Sequence, residues 1–152
     1  MKRLLKGAWV LITDGEKALI LQNDGDAQHP DLSVRRKESR ENPPDRQQSM
    51  DRPGRRRDDG PSQRSAMQET DWHELQKHRF AADIAELLYD RVHRGFRGGI
   101  VLVADPRTLG EMRGQLHQEV AEQVIAEIPK DLTGQPVDQI TRRVLEYLDR
   151  AS

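Results

Sequence analysis

The chain has 152 residues, which is enough for one domain around one core, and 34% of them are apolar while another 34% are charged. It contains no cysteine, which excludes a disulfide framework, a thiolate zinc site and a cysteine nucleophile. The formal net charge of −1 argues against a protein that coats nucleic acid with its whole surface, so any basic surface must be local. We therefore interpret residues 1–152 as a single domain.

The first part of the chain predicts three strands joined by short turns. Residues 8–13 and 18–21 are compact apolar runs, and the Asp14-Gly15 turn between them indicates a hairpin. Residues 32–37 form a weaker and more exposed third strand that is basic near its end. Consecutive strands with such short connections are antiparallel.

Residues 39–68 break this pattern. Apart from Met50, Ala66 and Met67 they contain no apolar side chain, and four of the eight prolines lie here. So few apolar groups cannot offset the entropy lost on ordering. We expect a flexible, arginine- and proline-rich loop, and a loop of this length inside a domain is usually functional or disordered.

Regular structure resumes at Asp71, which with Glu74 forms a variant of the capping box. An apolar stripe from Trp72 to Val92 predicts a long helix that ends at Gly95. The pattern then predicts a buried strand, a helix that starts at Asp105-Pro106, a further strand and a last helix; these elements occupy residues 100–104, 105–116, 124–128 and 136–148.

The predicted order is therefore βββαβαβα. Strands connected through helices are parallel, so the sheet should have five strands of mixed direction with helices packed on it. This α/β arrangement resembles the ribonuclease H-like fold. No window of the sequence approaches the length of a membrane span, and the apolar run at residues 8–12 is too short for a signal-peptide core. We expect a cytoplasmic protein without membrane contact, and the oligomeric state stays open, with a monomer favoured.

Five short segments in fixed order resemble the bacterial host attachment protein family, whose members are described as required for attachment to host cells. The segments are AWVL before Asp14-Gly15, DRPGR at 51–55, HRFA at 78–81, VLVADPR at 101–107 and IPKDLT at 128–133. That family is related to the central domain of the archaeal and eukaryotic class-1 peptide chain release factors. In that domain a loop between the third strand and the first long helix carries Gly-Gly-Gln and supports hydrolysis of peptidyl-tRNA at the ribosome.

The present chain lacks Gly-Gly-Gln, and its nearest counterpart is Gly60-Pro61-Ser62-Gln63, where proline restricts φ. The resemblance therefore implies the placement of the loop and not its catalysis. Apart from the acidic residues considered below for a nuclease, no other feature indicates an enzyme or a resident cofactor.

The charge of the loop is the main functional signal. Between Arg40 and Arg64 the chain has seven arginines and five acidic residues, and Arg55, Arg56 and Arg57 are consecutive. The guanidinium fork suits phosphate groups and stacks on bases. The sequence thus predicts non-catalytic contact with tRNA, rRNA or the ribosome through five arginines: Arg52, Arg55, Arg56, Arg57 and Arg64. The simpler alternative is an inert, solvated loop in which the acidic residues offset the arginines.

Two other functions stay open. Asp14 and Asp105 follow the first and fourth strands, and Glu74 lies on the helix between them, as acidic residues do in metal-dependent nucleases that hold Mg²⁺ or Mn²⁺. The simpler interpretation is that Asp14 belongs to an ordinary turn and Asp105 to an ordinary helix start. The third possibility is a protein-interaction or regulatory role that affects surface attachment indirectly. The five histidines are scattered, and we expect surface or capping roles for them.

Overall fold

A computed structural model describes residues 3–40 and 66–151. These ranges form five strands and four helices in the order β1 Trp9–Thr13, β2 Lys17–Asn23, β3 Leu32–Ser39, α1 Ala66–His93, β4 Ile100–Val103, α2 Pro106–Gln115, α3 Gln118–Ala121, β5 Val124–Ile128 and α4 Val137–Ala151.

The strands form one mixed sheet in the order β3-β2-β1-β4-β5. Strand β1 is antiparallel to β2 and parallel to β4; β2 is antiparallel to β3, and β4 is parallel to β5. This confirms the predicted five-stranded mixed sheet and the direction of each pair. These strand directions follow from connection length. Short turns join antiparallel neighbours, and helical crossovers place β4 and β5 parallel to β1.

Alternating side chains divide the core between the two faces of the sheet. In β1, Trp9 and Leu11 join a cluster with α1, α2 and α3, whereas Val10 and Ile12 join a cluster with α4. Strands β1 and β4 are buried along their whole length, because helices cover both of their faces. The edge strand β3 is buried mainly at Leu32 and is more exposed further along, as its basic sequence predicts.

Helix α1 begins earlier than the sequence analysis predicts. Its first residue is Ala66, so Asp71 lies within the helix, and the last residues of the predicted 39–68 loop are helical. Residues 66–69 (AMQE) are good helix formers, which explains the extension. Twenty-eight residues give a helix about 42 Å long, whereas the five residues of β1 span about 17 Å.

Because α1 is so much longer than the strands it crosses, its first turns extend past the sheet. Trp72 and Leu75 are 42% and 41% exposed there, so the apolar stripe is not buried at this end of the helix. The stripe is buried from Phe80 onwards. At the other end, Gly95 has φ of +112° and its N–H donates to the carbonyl of Val92, which confirms helix termination in the arginine- and glycine-containing stretch 94–99.

One element was not predicted. Residues Gln118–Ala121 form the short helix α3 between α2 and β5, so the observed order is βββαβααβα. Four residues are too few to show helical periodicity in a sequence. Among the helices in the described ranges, none has both the length and the apolarity of a membrane-spanning segment.

Candidate functional site

The carboxyl-terminal ends of β1 and β4 meet at one edge of the sheet, since the two strands are parallel and Ile12 is aligned with Val103. Two residues beyond this aligned pair the chain places Asp14 after one strand and Asp105 after the other. Helix α1 passes the same edge and adds Glu74 and Lys77. The aspartates that the sequence analysis selected are therefore neighbours at a strand-end cleft.

Asp14 shapes the turn between β1 and β2. Its Oδ1 accepts hydrogen bonds from the backbone N–H groups of Glu16 at 2.9 Å and Lys17 at 2.8 Å. The hydroxyl of the buried Thr13 donates to the carbonyl of Lys17 at 2.8 Å. Gly15 has φ of +90°, a backbone conformation that glycine adopts without strain. The turn is thus fixed by the side chains of Thr13 and Asp14.

Asp105 caps the first turn of α2, as the sequence predicts. Its Oδ1 accepts a hydrogen bond from the Thr108 hydroxyl at 2.6 Å, and its Oδ2 accepts one from the Thr108 N–H at 3.2 Å. The Thr108 hydroxyl has the largest part in lowering the pKa of the Asp105 carboxyl below its ordinary value. The ionised form of Asp105 therefore stabilises the start of α2.

The cleft itself is small, with a volume of about 90 Å³. Glu74 lies on its wall and accepts a hydrogen bond from Arg107 at 2.9 Å across an exposed ion pair. The aliphatic part of Lys77 lies over Gly15, where an added Cβ would meet it at 3.7 Å. A space of this size holds a few water molecules or one small group.

The arrangement of acidic side chains does not fit a metal centre. Asp14, Glu74 and Asp105 line the same cleft, yet each already accepts a hydrogen bond from the protein. Across residues 3–40 and 66–151, no group of three or more histidine, aspartate or glutamate side chains is positioned to hold a metal ion. We therefore derive no metal-dependent step from this cleft.

The predicted RNA-binding arginines, Arg52, Arg55–Arg57 and Arg64, lie outside the described residues. The described residues that flank this segment are Arg40 and Ala66. Arg40 follows β3, donates its N–H to the carbonyl of Glu16 at 2.9 Å and forms an ion pair with the Glu16 carboxylate at 3.3 Å. Helix α1 begins at Ala66 and reaches the cleft through Glu74. One end of the arginine-rich segment is therefore attached at the β1–β2 turn, and the other end continues into α1 eight residues before Glu74.

One surface cluster was missed by the sequence analysis. The ring of Tyr89 stacks on His93 with centroids 5.2 Å apart and on His117 at 4.0 Å. His117 Nε2 lies 3.0 Å from the Glu86 carboxylate, and His93 Nδ1 lies 3.8 Å from that of Glu119. Tyr89 and His93 are one helical turn apart, which the sequence could indicate. The position of His117 beside Tyr89 depends on how α3 packs on α1, and the sequence gives no local signal for this packing.

Comparison with known proteins gives one family. The family model for the bacterial archaeo-eukaryotic release factor family 12 matches residues 7–144, which is nearly the whole chain and includes every strand. A search of curated proteins finds no match. The family match confirms the release-factor relationship that the sequence segments predict.

Proposed function

The chain therefore belongs to the bacterial archaeo-eukaryotic release factor family 12, and from this premise we propose that it is a non-catalytic domain that contacts RNA or the ribosome through its arginine-rich segment. The family description relates the chain to factors that act on the ribosome. The chain lacks Gly-Gly-Gln, so the proposal is restricted to binding.

The observation that carries the proposal is the concentration of arginine in the segment between Arg40 and Ala66. On one side of this segment Arg40 is bonded to the β1–β2 turn beside the cleft, and on the other side the segment continues into α1, which lines the cleft from Glu74 onwards. Five of its residues, Arg52, Arg55–Arg57 and Arg64, supply forked guanidinium groups to a chain whose net charge is only −1. Arginine concentrated in one segment suits phosphate binding, because each neutralised phosphate releases counterions.

Salt dependence gives the test. A variant with Arg55, Arg56 and Arg57 changed to Ala is compared with the unchanged chain in filter binding to bulk tRNA at several salt concentrations. If the three guanidinium groups contact phosphates, the slope of log K against log salt falls by about 2 to 3 in the variant.

The matched control removes the same number of charges elsewhere. Arg142, Arg143 and Arg150 are exposed residues of α4, and changing all three to Ala removes three positive charges from a different surface. We expect this control to keep the affinity and the salt slope of the unchanged chain. Equal binding by the two triple variants, or binding that is insensitive to salt, would reject the proposal.

A metal-dependent nuclease is the alternative candidate, because Asp14, Glu74 and Asp105 all line one cleft although they form no metal-binding group there. The hydrogen bonds that these carboxylates already accept from the protein argue against a nuclease. Incubation with labelled RNA and DNA in Mg²⁺ or Mn²⁺ distinguishes the two. Cleavage that disappears in Asp14→Asn would support the nuclease, and cleavage that persists would place any activity outside this cleft.

A further inference from the structure

A groove of about 520 Å³ lies on the α4 side of the sheet, far larger than the strand-end cleft. Strands β2 and β3 form its floor with Leu19 and Val34, and the turn that leads into α4 forms its wall with Gly134, Pro136 and Val137. We refer to it as the β2–β3 groove. Its volume is within the range of about 300–1,000 Å³ that is typical of small-molecule sites.

The groove exists because α4 leaves this corner of the sheet uncovered. Val34 is 40% exposed although Leu21, its partner across the strands, is completely buried. The register of β2 and β3 shifts between Ile20 and Leu21, and beyond the shift Lys37 is opposite Leu19. Partners directly opposite each other share a face of the sheet, so the bulge brings Lys37 to the same face as Val34.

Two lysines border the apolar floor. Lys17 is opposite Ser39 and lies two residues before Leu19, so Lys17 and Lys37 are diagonal neighbours on one face. Regular antiparallel geometry separates such positions by about 7–8 Å. Neither lysine forms an ion pair with another residue in the described part of the chain, whereas Glu38, which also lines the groove, is paired with Arg36. The groove therefore combines an apolar floor with an excess of positive charge.

From this combination we infer that the β2–β3 groove binds a small amphiphilic anion. Its apolar body would lie on Leu19, Val34 and Val137, and its carboxylate or phosphate between Lys17 and Lys37. The charge of the ligand is set by the two lysines, and its apolar part by the floor. Among the described residues, the lining contains neither an arginine nor an aromatic side chain on which a base could stack.

The test uses isothermal titration calorimetry with the full chain and three ten-carbon probes, decanoate, decyl phosphate and decanol. The two anions are kept below their micelle concentrations and decanol below its solubility limit. We expect at least one anion to bind about tenfold or more tightly than decanol, a factor that corresponds to about 1.4 kcal/mol. Decanoate and decyl phosphate then distinguish a carboxylate ligand from a phosphate ligand.

Three variants locate the binding. Lys37→Glu should weaken anion binding about tenfold or more, and Val34→Glu should weaken both the anions and decanol. Lys6→Glu, an equal charge change on an exposed residue near the start of β1, should leave all affinities unchanged. Circular dichroism and thermal melts of each variant verify folding, and Lys37→Gln replaces Lys37→Glu if the latter is unfolded.

Several results would overturn the inference. These are the absence of binding by every probe, equal affinity for anions and decanol, and anion binding that Lys37→Glu leaves intact. Analytical ultracentrifugation adds one more. If Val34→Glu dissociates a dimer while no probe binds, the groove is a contact between two copies of the chain and not a ligand site.

Discussion

Asn23 provides the sharpest stability prediction, because this polar side chain is completely buried. Its Nδ2 donates to the carbonyls of Leu4 at 2.8 Å, Leu5 at 3.2 Å and Asp26 at 3.3 Å. Its Oδ1 accepts from the N–H groups of Gly25 at 3.0 Å and Asp31 at 2.8 Å. One side chain thus connects the amino-terminal segment to the end of β2 and to the turn that follows.

Replacing Asn23 by Ala leaves these backbone groups without their partner. Leaving one buried hydrogen-bonding group unsatisfied costs about 1–3 kcal/mol. The two bonds at 2.8 Å dominate, and water reaches part of the remaining groups, so we expect a loss of about 2–4 kcal/mol in the free energy of unfolding. Such a loss is a large share of the roughly 5–15 kcal/mol that stabilise a domain.

Urea denaturation measures this loss. With an m-value of about 2 kcal/mol per molar urea, a loss of about 3 kcal/mol lowers the midpoint by about 1.5 M. Gln28→Ala, at an exposed position in the same turn, serves as the control and should stay within about 0.5 kcal/mol of the unchanged chain. If Asn23→Ala and Gln28→Ala have the same midpoint, the proposed role of Asn23 is wrong.

Two further stability predictions concern single positions. An added Cβ at Gly25 would lie 2.1 Å from the His29 carbonyl oxygen, so Gly25→Ala should cost about 3 kcal/mol in urea denaturation, whereas Gly134→Ala, with no atom within 4 Å, should be nearly neutral. Asp105→Ala should cost about 1 kcal/mol at neutral pH. Because the folded pKa of Asp105 lies below its ordinary value, this contribution is present above the unfolded pKa of about 3.9 and is lost as pH falls through the folded pKa. Asp105→Asn keeps a side-chain acceptor and should show little of that pH dependence. If the stability of Asp105→Ala varies with pH as that of the unchanged chain does, the role given to the Asp105 carboxylate is wrong.

Most of the sheet could be predicted from the sequence, because apolar runs and turn residues are local signals. Residues 100–104 are apolar throughout, as expected of a strand covered on both sides, and Asp105-Pro106 marks the next helix. The start of α1 could not be predicted from the apolar stripe, since its first turns extend past the sheet and need no buried face. For the same reason Trp72 and Leu75 are exposed although they fit the stripe.

The strand-end cleft and the β2–β3 groove also differ in how far the sequence predicts them. Asp14 and Asp105 could be expected at one edge because parallel strands end together. The β2–β3 groove depends on a register shift and on the corner that α4 leaves uncovered, and neither has a local sequence signal. The sequence predicts only that Lys37 lies on an exposed basic strand. Its position beside an apolar floor is known from the fold.

Co-sedimentation with ribosomes from a native lysate tests the central proposal most directly. The unchanged chain and the control with Arg142, Arg143 and Arg150 changed to Ala should both sediment with ribosomes at low salt and dissociate as salt is raised. The variant with Arg55, Arg56 and Arg57 changed to Ala should remain in the supernatant. Equal sedimentation of both triple variants, or the absence of the unchanged chain from the ribosomal pellet, would contradict the proposal that the arginine-rich segment binds the ribosome.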